Sequence, residues 1–167
     1  MIGAAPFKSL YKEIKAALIQ KQFCTFLLAA LLCLPALAAR EPSAIIGHVQ
    51  HLMGTASVVR DSAVVPLTAG AALYRGDVVR TGKPGAAGVV LTDDTTISMG
   101  SGSEIALNDF VFQPKDGQFA LALKMVKGTF AYVTGQIVKL SPESAQVQTP
   151  DATIAVRGTK ILIQIEE

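Results

Sequence analysis

The two histidines are the first residues to consider for chemistry, because imidazole is a common metal ligand. His48 and His51 stand three positions apart, and on a helix this spacing would place both side chains on one face, where they could bind zinc. The surrounding segment alternates apolar and polar residues, however, which predicts a strand. In a strand, positions i and i+3 point to opposite faces. No third ligand follows at local spacing, so we expect surface or edge histidines and no metal site.

Asp93 and Asp94 are adjacent carboxylates that could serve acid–base chemistry or calcium binding. Neighbouring residues of a hairpin turn point apart, and Asp is a frequent turn residue. The D-x-D-x-D-G spacing of a calcium loop is missing. We therefore expect these two residues to form a turn between strands.

Two further patterns resemble catalytic or cofactor loops only superficially. Ser101-Gly102-Ser103 lacks the G-x-S-x-G spacing and the strand–turn–helix context of a nucleophile elbow. We expect Met99–Ser103 to connect two strands. Gly82, Gly85 and Gly88 lack both the G-x-G start and the following helix of a dinucleotide site. The sequence thus predicts a protein that is not an enzyme and that holds no cofactor.

The N-terminal segment has the composition of an export signal. Four lysines lie within the first 22 residues, and Phe23–Leu34 carries no charge and contains both cysteines. Pro35–Ala39 then offers an A-x-A cleavage site, which completes the pattern of a secretory signal peptide. We predict a signal peptide over residues 1–38 and a linker over 39–44, ahead of one domain over 45–167.

Two alternatives for this segment stay open. Phe23–Ala39 holds 17 apolar or neutral residues, the lower limit for an uncleaved membrane anchor. Cys33 could carry a lipid, although the bulky Leu32 stands where such sites need a small residue. Each alternative places the remaining chain outside the cytoplasm, in the periplasm or secreted, with membrane contact only through this segment if it is uncleaved.

The chain after residue 38 differs from the full sequence in net charge and in cysteine content. Removing residues 1–38 takes away four of the 15 basic residues, one of the 13 acidic residues and both cysteines, which leaves a net charge of −1. A basic surface for nucleic acid, a disulfide framework and a thiolate metal site are therefore excluded. Aromatic residues are too few for a stacking platform, and most of them are expected to face the core. They are Tyr74, Phe110, Phe112, Phe119, Phe130 and Tyr132.

From Ile45 onward the apolar residues alternate with period two between turn residues, and no helical stripe follows residue 40. This pattern predicts an all-β fold of about 10–12 short strands, either an antiparallel β-sandwich or a short β-roll or solenoid. We expect breaks at Gly54 and Gly128 and a loop over Thr81–Gly85. The apolar last strand, Ile161–Ile165, is expected to lie centrally in a sheet or to pair with another chain.

The inward positions of these strands give a predicted core. Its members are Val49, Val58, Leu73, Val78, Val89, Leu91, Ile97, Ile105, Leu107, Phe119, Leu121, Leu123, Phe130, Tyr132, Val147, Ile154, Val156, Ile161 and Ile163.

Several stretches, taken in order, resemble the FecR domain of bacterial envelope proteins. Gly70–Gly82 is similar to G-x-x-L-x-x-G-D-x-V-x-T-G, and Val147–Thr159 is similar to V-x-T-P-x-A-x-x-x-V-R-G-T. One departure is Asp94-Thr95, where the family has Asp-Gly, so we expect a different turn type there. Weaker similarities between residues 47 and 165 are Gly47–Val49, Gly54–Val58, Ala87–Asp93, Thr96–Met99, Ser103–Leu107 and Leu123–Phe130.

Proteins with this domain include periplasmic sensors that relay the occupancy of an outer-membrane receptor to an anti-sigma apparatus. The resemblance therefore implies a non-enzymatic protein-interaction module of the envelope, with a role in signalling. Only 22 residues precede the apolar run here, and about eight follow the Arg157-Gly158-Thr159 motif. We accordingly expect an interaction module rather than the complete relay, with a cell-wall or polysaccharide-binding adhesive module as the alternative.

The expected partner is a protein in the periplasm or at the cell surface. It is expected to bind by strand addition along the last strand, where main-chain hydrogen bonds supply affinity. The residues predicted to take part are Arg157, Gly158, Thr159, Ile161 and Ile163.

Overall fold

The computed structural model describes residues 44–156, 158 and 160–166. The predicted signal peptide or anchor and residues 39–43 of the linker lie outside the described residues. Within them the chain forms ten strands: β1 (Ile45–Arg60), β2 (Ala63–Pro66), β3 (Ala72–Tyr74), β4 (Val78–Leu91), β5 (Thr96–Met99), β6 (Glu104–Gln113), β7 (Gln118–Val133), β8 (Ala145–Gln148), β9 (Thr153–Ala155) and β10 (Lys160–Ile165).

The all-β prediction is confirmed, with one small addition. A five-residue helix, α1 (Gln136–Leu140), and a 3-10 turn (Pro142–Ser144) connect β7 to β8. Five residues are too few to show a helical period in the sequence, so this element was not expected. It buries Ile137 and Val138.

The strands β1, β4 and β7 are longer than predicted, because each runs through a position expected to end a strand. Gly54 lies inside β1, Gly128 lies inside β7, and the expected loop Thr81–Gly85 lies inside β4. At that point Gly54 pairs with Gly85 and Ala56 pairs with Thr81. An advance of two residues along β1 thus corresponds to four residues along β4. The extra residues of β4 form a bulge within the strand rather than a loop between strands.

The long strands are shared between two sets of hydrogen-bonded partners. In the first set, β2, β1, β4, β6, β7, β8 and β9 follow one another; in the second, β3, β1, β4, β5, β7 and β10 do. Each of β1, β4 and β7 gives one half to each set. The described strands therefore form one folded sheet rather than the two separate sheets of a simple sandwich.

All pairings between the described strands are antiparallel except β7 with β8. A solenoid of stacked parallel coils does not have this pattern. Of the expected arrangements, sandwich, roll and solenoid, the strand pairing favours an antiparallel roll that encloses its own core.

Most of the predicted core residues are buried in one cluster. Phe119, Ile154 and Ile161 are only partly buried against that cluster, and Val78 is wrong. In the Val78-Val79 pair the inward residue is Val79, while Val78 lies opposite Ala106 on the other face. Because the two adjacent residues are identical, the period-two pattern cannot decide which of them faces the core. Buried residues that were not predicted include Ile46, Leu67, Met99, Met125 and Ala145.

The last strand, β10, pairs with β7 from Lys160 opposite Val133 to Ile165 opposite Gly128. Among the described strands it has no second neighbour, so the expectation of a central position is wrong. Ile163 is buried, whereas Leu162 is 72% exposed. The strand is an amphipathic edge strand whose isoleucines face the core.

Candidate functional site

Of the predicted site residues, Ile161 and Ile163 lie on the inner face of β10, and Gly158 precedes that strand. Arg157 and Thr159 lie outside the described residues. Gly158 is exposed, and no atom beyond its chain neighbours lies within 4 Å of where its Cβ would be. Ile161 is half-buried against the core and Ile163 is 8% exposed. Because these two side chains face inward, a partner strand would contact mainly the main chain at the edge of β10.

The outward side chains of β10 were missed by the sequence prediction. Lys160, Leu162 and Gln164 are exposed and alternate with the isoleucines. The alternation itself is visible in the sequence. The sequence prediction nevertheless treats the strand as uniformly apolar, because a leucine on the solvent face breaks the usual pattern.

A second edge of the sheet also carries exposed apolar residues. All four residues of β2 are exposed, and Val64 and Val65 are 65% and 45% exposed. This strand pairs only with β1 among the described strands, and Pro66 at its end removes one main-chain donor. Val64 on β2 and Leu162 on β10 are similarly exposed, at 65% and 72%, whereas the two strands differ in length.

The histidines lie on the same face of the sheet, so the prediction that they face opposite ways is wrong. His48 pairs with Val90 and His51 pairs with Gly88. Since positions 88 and 90 share a face, their partners share it too. The cause is a bulge between Val49 and His51, which shifts the register by one residue. In the described part of the chain, no three residues of the histidine, cysteine, aspartate and glutamate types form a metal-binding group.

Asp93 is a buried structural carboxylate at the β4–β5 turn. Its Oδ1 accepts the Thr95 backbone N–H at 3.1 Å, and its Oδ2 accepts the Thr95 hydroxyl at 2.8 Å and the Ile137 N–H at 3.3 Å. The positive φ of the turn falls on Asp94, at 66°, which leaves Thr95 available for these bonds. The turn prediction is confirmed, and the carboxylate ties that turn to the start of α1.

Tyr132 lies beside this turn with its ring fully buried. Its hydroxyl is buried and makes no hydrogen bond in the structure, although the Thr95 hydroxyl is near enough to lower its pKa partly. Burial is the larger effect and, together with the charge of Asp93, raises the pKa of Tyr132 to about 12. The folded protein therefore holds the neutral phenol.

This pKa predicts a loss of stability at high pH. Below the ordinary tyrosine pKa of 10.0 the contribution is fully present, and it falls as the pH rises towards about 12. The loss amounts to about 2–3 kcal/mol above pH 12 and to about 1.4 kcal/mol at pH 11, because the unfolded chain ionises where the folded chain does not. We expect Tyr132→Phe to remove this part of the alkaline loss and to stay within about 1 kcal/mol of the parent at pH 7.

Urea unfolding of both proteins between pH 8 and pH 11, followed by circular dichroism, measures this difference. Lysine titration affects both proteins alike, so the difference between the two curves isolates the phenol. Parallel curves for parent and variant would contradict the assignment.

Asp77 is the second buried carboxylate, and it belongs to the Gly70–Gly82 motif. Arg60 donates to it through Nε and Nη2, both at 2.7 Å, and the Tyr74 N–H donates at 2.9 Å. The Arg60 guanidinium lies 4.2 Å from the centre of the Tyr74 ring. The hydrogen bond with Asp77 raises the pKa of Arg60. This carboxylate stabilises the fold through its hydrogen bonds with Arg60 and Tyr74.

The Gly100–Ser103 turn joins the two halves of the sheet through buried hydroxyls. The Thr81 hydroxyl donates to the Gly100 carbonyl at 2.6 Å and accepts the Ser103 N–H at 2.8 Å. The Ser103 hydroxyl donates to the Thr129 carbonyl at 3.2 Å and accepts its N–H at 3.1 Å. Ser103 is thus a structural residue, in agreement with its prediction as part of a strand connection.

The Thr149-Pro150 motif forms the tight turn between β8 and β9. Thr149 accepts the Ala152 N–H through its hydroxyl at 3.1 Å, and its own N–H donates to the Ala152 carbonyl at 2.8 Å. The motif therefore fixes this hairpin and leads through the buried Val156 towards β10.

None of the helices in the described part of the chain is both long and apolar enough to cross a membrane. No curated protein and no solved structure matches the chain. The FecR protein family model matches residues 77–167, which begin at the buried Asp77 and include the Val147–Thr159 motif. The matched residues make up more than half of the 167-residue chain, and the chain therefore belongs to the FecR protein family.

Proposed function

We propose that this protein is a non-enzymatic regulatory interaction module of the bacterial envelope, and that it binds a protein partner along the edge of β10. Family membership is consistent with a role in envelope signal transduction. The observation that carries the proposal is that β10 pairs with only one strand among the described strands. Its isoleucines face the core at this edge of the sheet.

The physical case rests on incomplete coverage of the inner face. Ile161 and Ile165 pack against the core but remain partly exposed, whereas Ile163 between them is buried. An added strand with apolar residues at alternate positions would cover the two half-buried side chains. It would also satisfy the outward main-chain groups of β10, which supply affinity in this mode of recognition.

The surrounding features support an interaction module over an enzyme. The two buried carboxylates, Asp77 and Asp93, are engaged by backbone N–H groups and by Arg60 or Thr95. Such groups position turns rather than transfer protons. The export-type composition of residues 1–38 and the lack of cysteine beyond them support a location in the periplasm or outside the cell.

Two variants test the edge without disturbing the core. Leu162→Lys places a charge at an outward position of β10 that is 72% exposed, and Val64→Lys does the same on β2 at a position 65% exposed. Charged residues on edge strands block the pairing of further strands. We expect Leu162→Lys to lower partner recovery and Val64→Lys to leave it unchanged, with less than about 0.5 kcal/mol lost in stability for either variant.

Recovery is measured by chemical cross-linking in bacteria that produce the full chain, followed by purification and quantification of the same cross-linked protein for each variant. Equal recovery from both variants, or a loss only for Val64→Lys, would overturn the assignment to β10. Sedimentation with purified peptidoglycan distinguishes the alternative adhesive module. Sedimentation that is insensitive to Leu162→Lys would favour cell-wall binding instead.

A further inference from the structure

A cleft of about 350 Å³ opens on β4, β6 and β7 beside the Gly100–Ser103 turn. Its charged residues are Arg80, Lys83, Glu104 and Lys127, and Gly102 and Ser103 form part of its wall. We call this the basic cleft. It is separate in composition from the β10 edge and does not depend on the function proposed above.

The strand register places three of the charged residues in one row. Arg80 lies opposite Glu104, and Glu104 lies opposite Lys127. Arg80 holds Glu104 with its Nε 3.0 Å from Oε2 and with Nη2 donating to Oε1 at 3.1 Å. The single carboxylate is thus fixed between two cations, and it orients the guanidinium along the row.

Lys83 joins this row from the bulge of β4. Gly102 has a φ of +65°, and a Cβ at this position would overlap with Cε of Lys83. The aliphatic stem of Lys83 therefore lies directly over Gly102, which brings the lysine to the cleft. A side chain at position 102 would displace it.

The wall of the cleft is held in place by the hydroxyl contacts of the turn. Thr81 and Ser103 are both buried and bonded to main-chain groups of Gly100 and Thr129. The cations consequently stand on a rigid support, and an anion entering the cleft would not have to order a loop.

The charge of the cleft contrasts with that of the rest of the described residues. It contains three of their nine lysines and arginines but one of their ten acidic residues. Lys83 and Lys127 already make interactions within the protein. A lysine ammonium has three donors, however, and can contact a bound oxygen alongside an internal partner.

We propose that the basic cleft binds a phosphate-bearing anion. The Arg80 guanidinium has five N–H donors, more than its two contacts with Glu104 use, and ammonium groups supply point charges around a phosphate. The volume accommodates a phosphate or diphosphate group together with ordered water. Either a lipid headgroup or a soluble phosphate compound presents this chemistry, and the two sources are distinguished by experiment.

The test uses the full chain, inorganic pyrophosphate as the soluble probe and two kinds of vesicle, one with anionic phosphatidylglycerol and one of neutral phosphatidylcholine. Amide chemical shifts of Gly102 and Ser103 report the binding. Lys83→Gln and Lys127→Gln are the variants, and Lys115→Gln in the exposed β6–β7 turn is the matched control. We expect saturable binding that weakens about tenfold in each cleft variant and is unchanged in the control.

Pyrophosphate binding without selective binding to anionic vesicles identifies a soluble phosphate ligand. If anionic vesicles also bind, and lose binding in the cleft variants but not in Lys115→Gln, the ligand is a lipid headgroup. Binding that is unsaturable, or that weakens equally in all three variants, would overturn the proposal, as would no binding to either probe.

Discussion

Replacing Gly128 with alanine is expected to destabilise the protein by about 3–5 kcal/mol, because it adds backbone strain to a steric overlap. Gly128 has a φ of +99°, and its Cβ would lie 2.6 Å from Cα and 2.7 Å from Cβ of Ser103. Ser103 is held on both sides by Thr81 and Thr129. It therefore has no direction in which to move without breaking buried hydrogen bonds.

Gly117→Ala is the matched control, since Gly117 also has a positive φ, +64°, but nothing lies within 4 Å of its Cβ position. We expect a cost of about 1–2 kcal/mol there, from the backbone conformation alone. Urea unfolding followed by far-ultraviolet circular dichroism measures both variants, as the chain has no tryptophan. Equal costs at the two glycines would show that the contact with Ser103 carries no energy.

Asp77→Asn is expected to cost about 2–4 kcal/mol, because it removes one partner of a buried ion pair. The substitution keeps the shape of the side chain but replaces one acceptor oxygen with a donor. The carboxylate accepts three hydrogen bonds, two from Arg60 and one from the Tyr74 N–H. Arg60 is 35% exposed and recovers some hydration, which keeps the cost below that of a fully buried cation.

Asp109→Asn is the corresponding control. Asp109 pairs with Arg75 at 3.5 Å, and both side chains are about half exposed. An exposed pair of this kind contributes about 0–1 kcal/mol. A loss for Asp77→Asn no larger than that for Asp109→Asn would mean that the buried pair does not anchor the β3–β4 turn.

The alternation of apolar residues was sufficient to predict the fold class and most of the core. It failed where the chain leaves period two. The bulges at Gln50, within Gly82–Gly85 and at Asn108 let long strands continue past residues that are typical of turns. Close approach explains two of those glycines, since a Cβ at Gly82 or Gly85 would overlap with Thr55. A turn and a bulge use the same residues, so composition alone does not separate them.

The place of the candidate residues within the sheet could be predicted only in part. The sequence identifies β10 as an unusually apolar strand. Whether it lies at the edge or in the centre of the sheet depends on its pairing with β7, which is some 30 residues away along the chain. The same limitation applies to the histidines, whose common face follows from a single-residue shift in register. The basic cleft is still less visible, because Arg80, Glu104 and Lys127 come from three strands and are neighbours only through the register of the sheet.

The family motifs acquire a physical meaning in this structure. Asp77 closes the β3–β4 turn, Thr149 closes the β8–β9 turn, and Asp93 ties the β4–β5 turn to α1. These motif residues maintain the fold. If the protein binds a partner as we propose, the residues that select it lie on less distinctive surface positions, such as the outward side of β10.

Site-specific photo-cross-linking at β10 tests the central proposal most directly. A photoreactive amino acid is placed at position 162 of the full chain and, as the comparison, at position 64 on β2, in bacteria that produce the protein. We predict a discrete protein adduct from position 162 that disappears when Gln164→Lys is added, and no such adduct from position 64. The same adduct from both positions, or an adduct from position 162 that persists with Gln164→Lys, would contradict strand addition at β10.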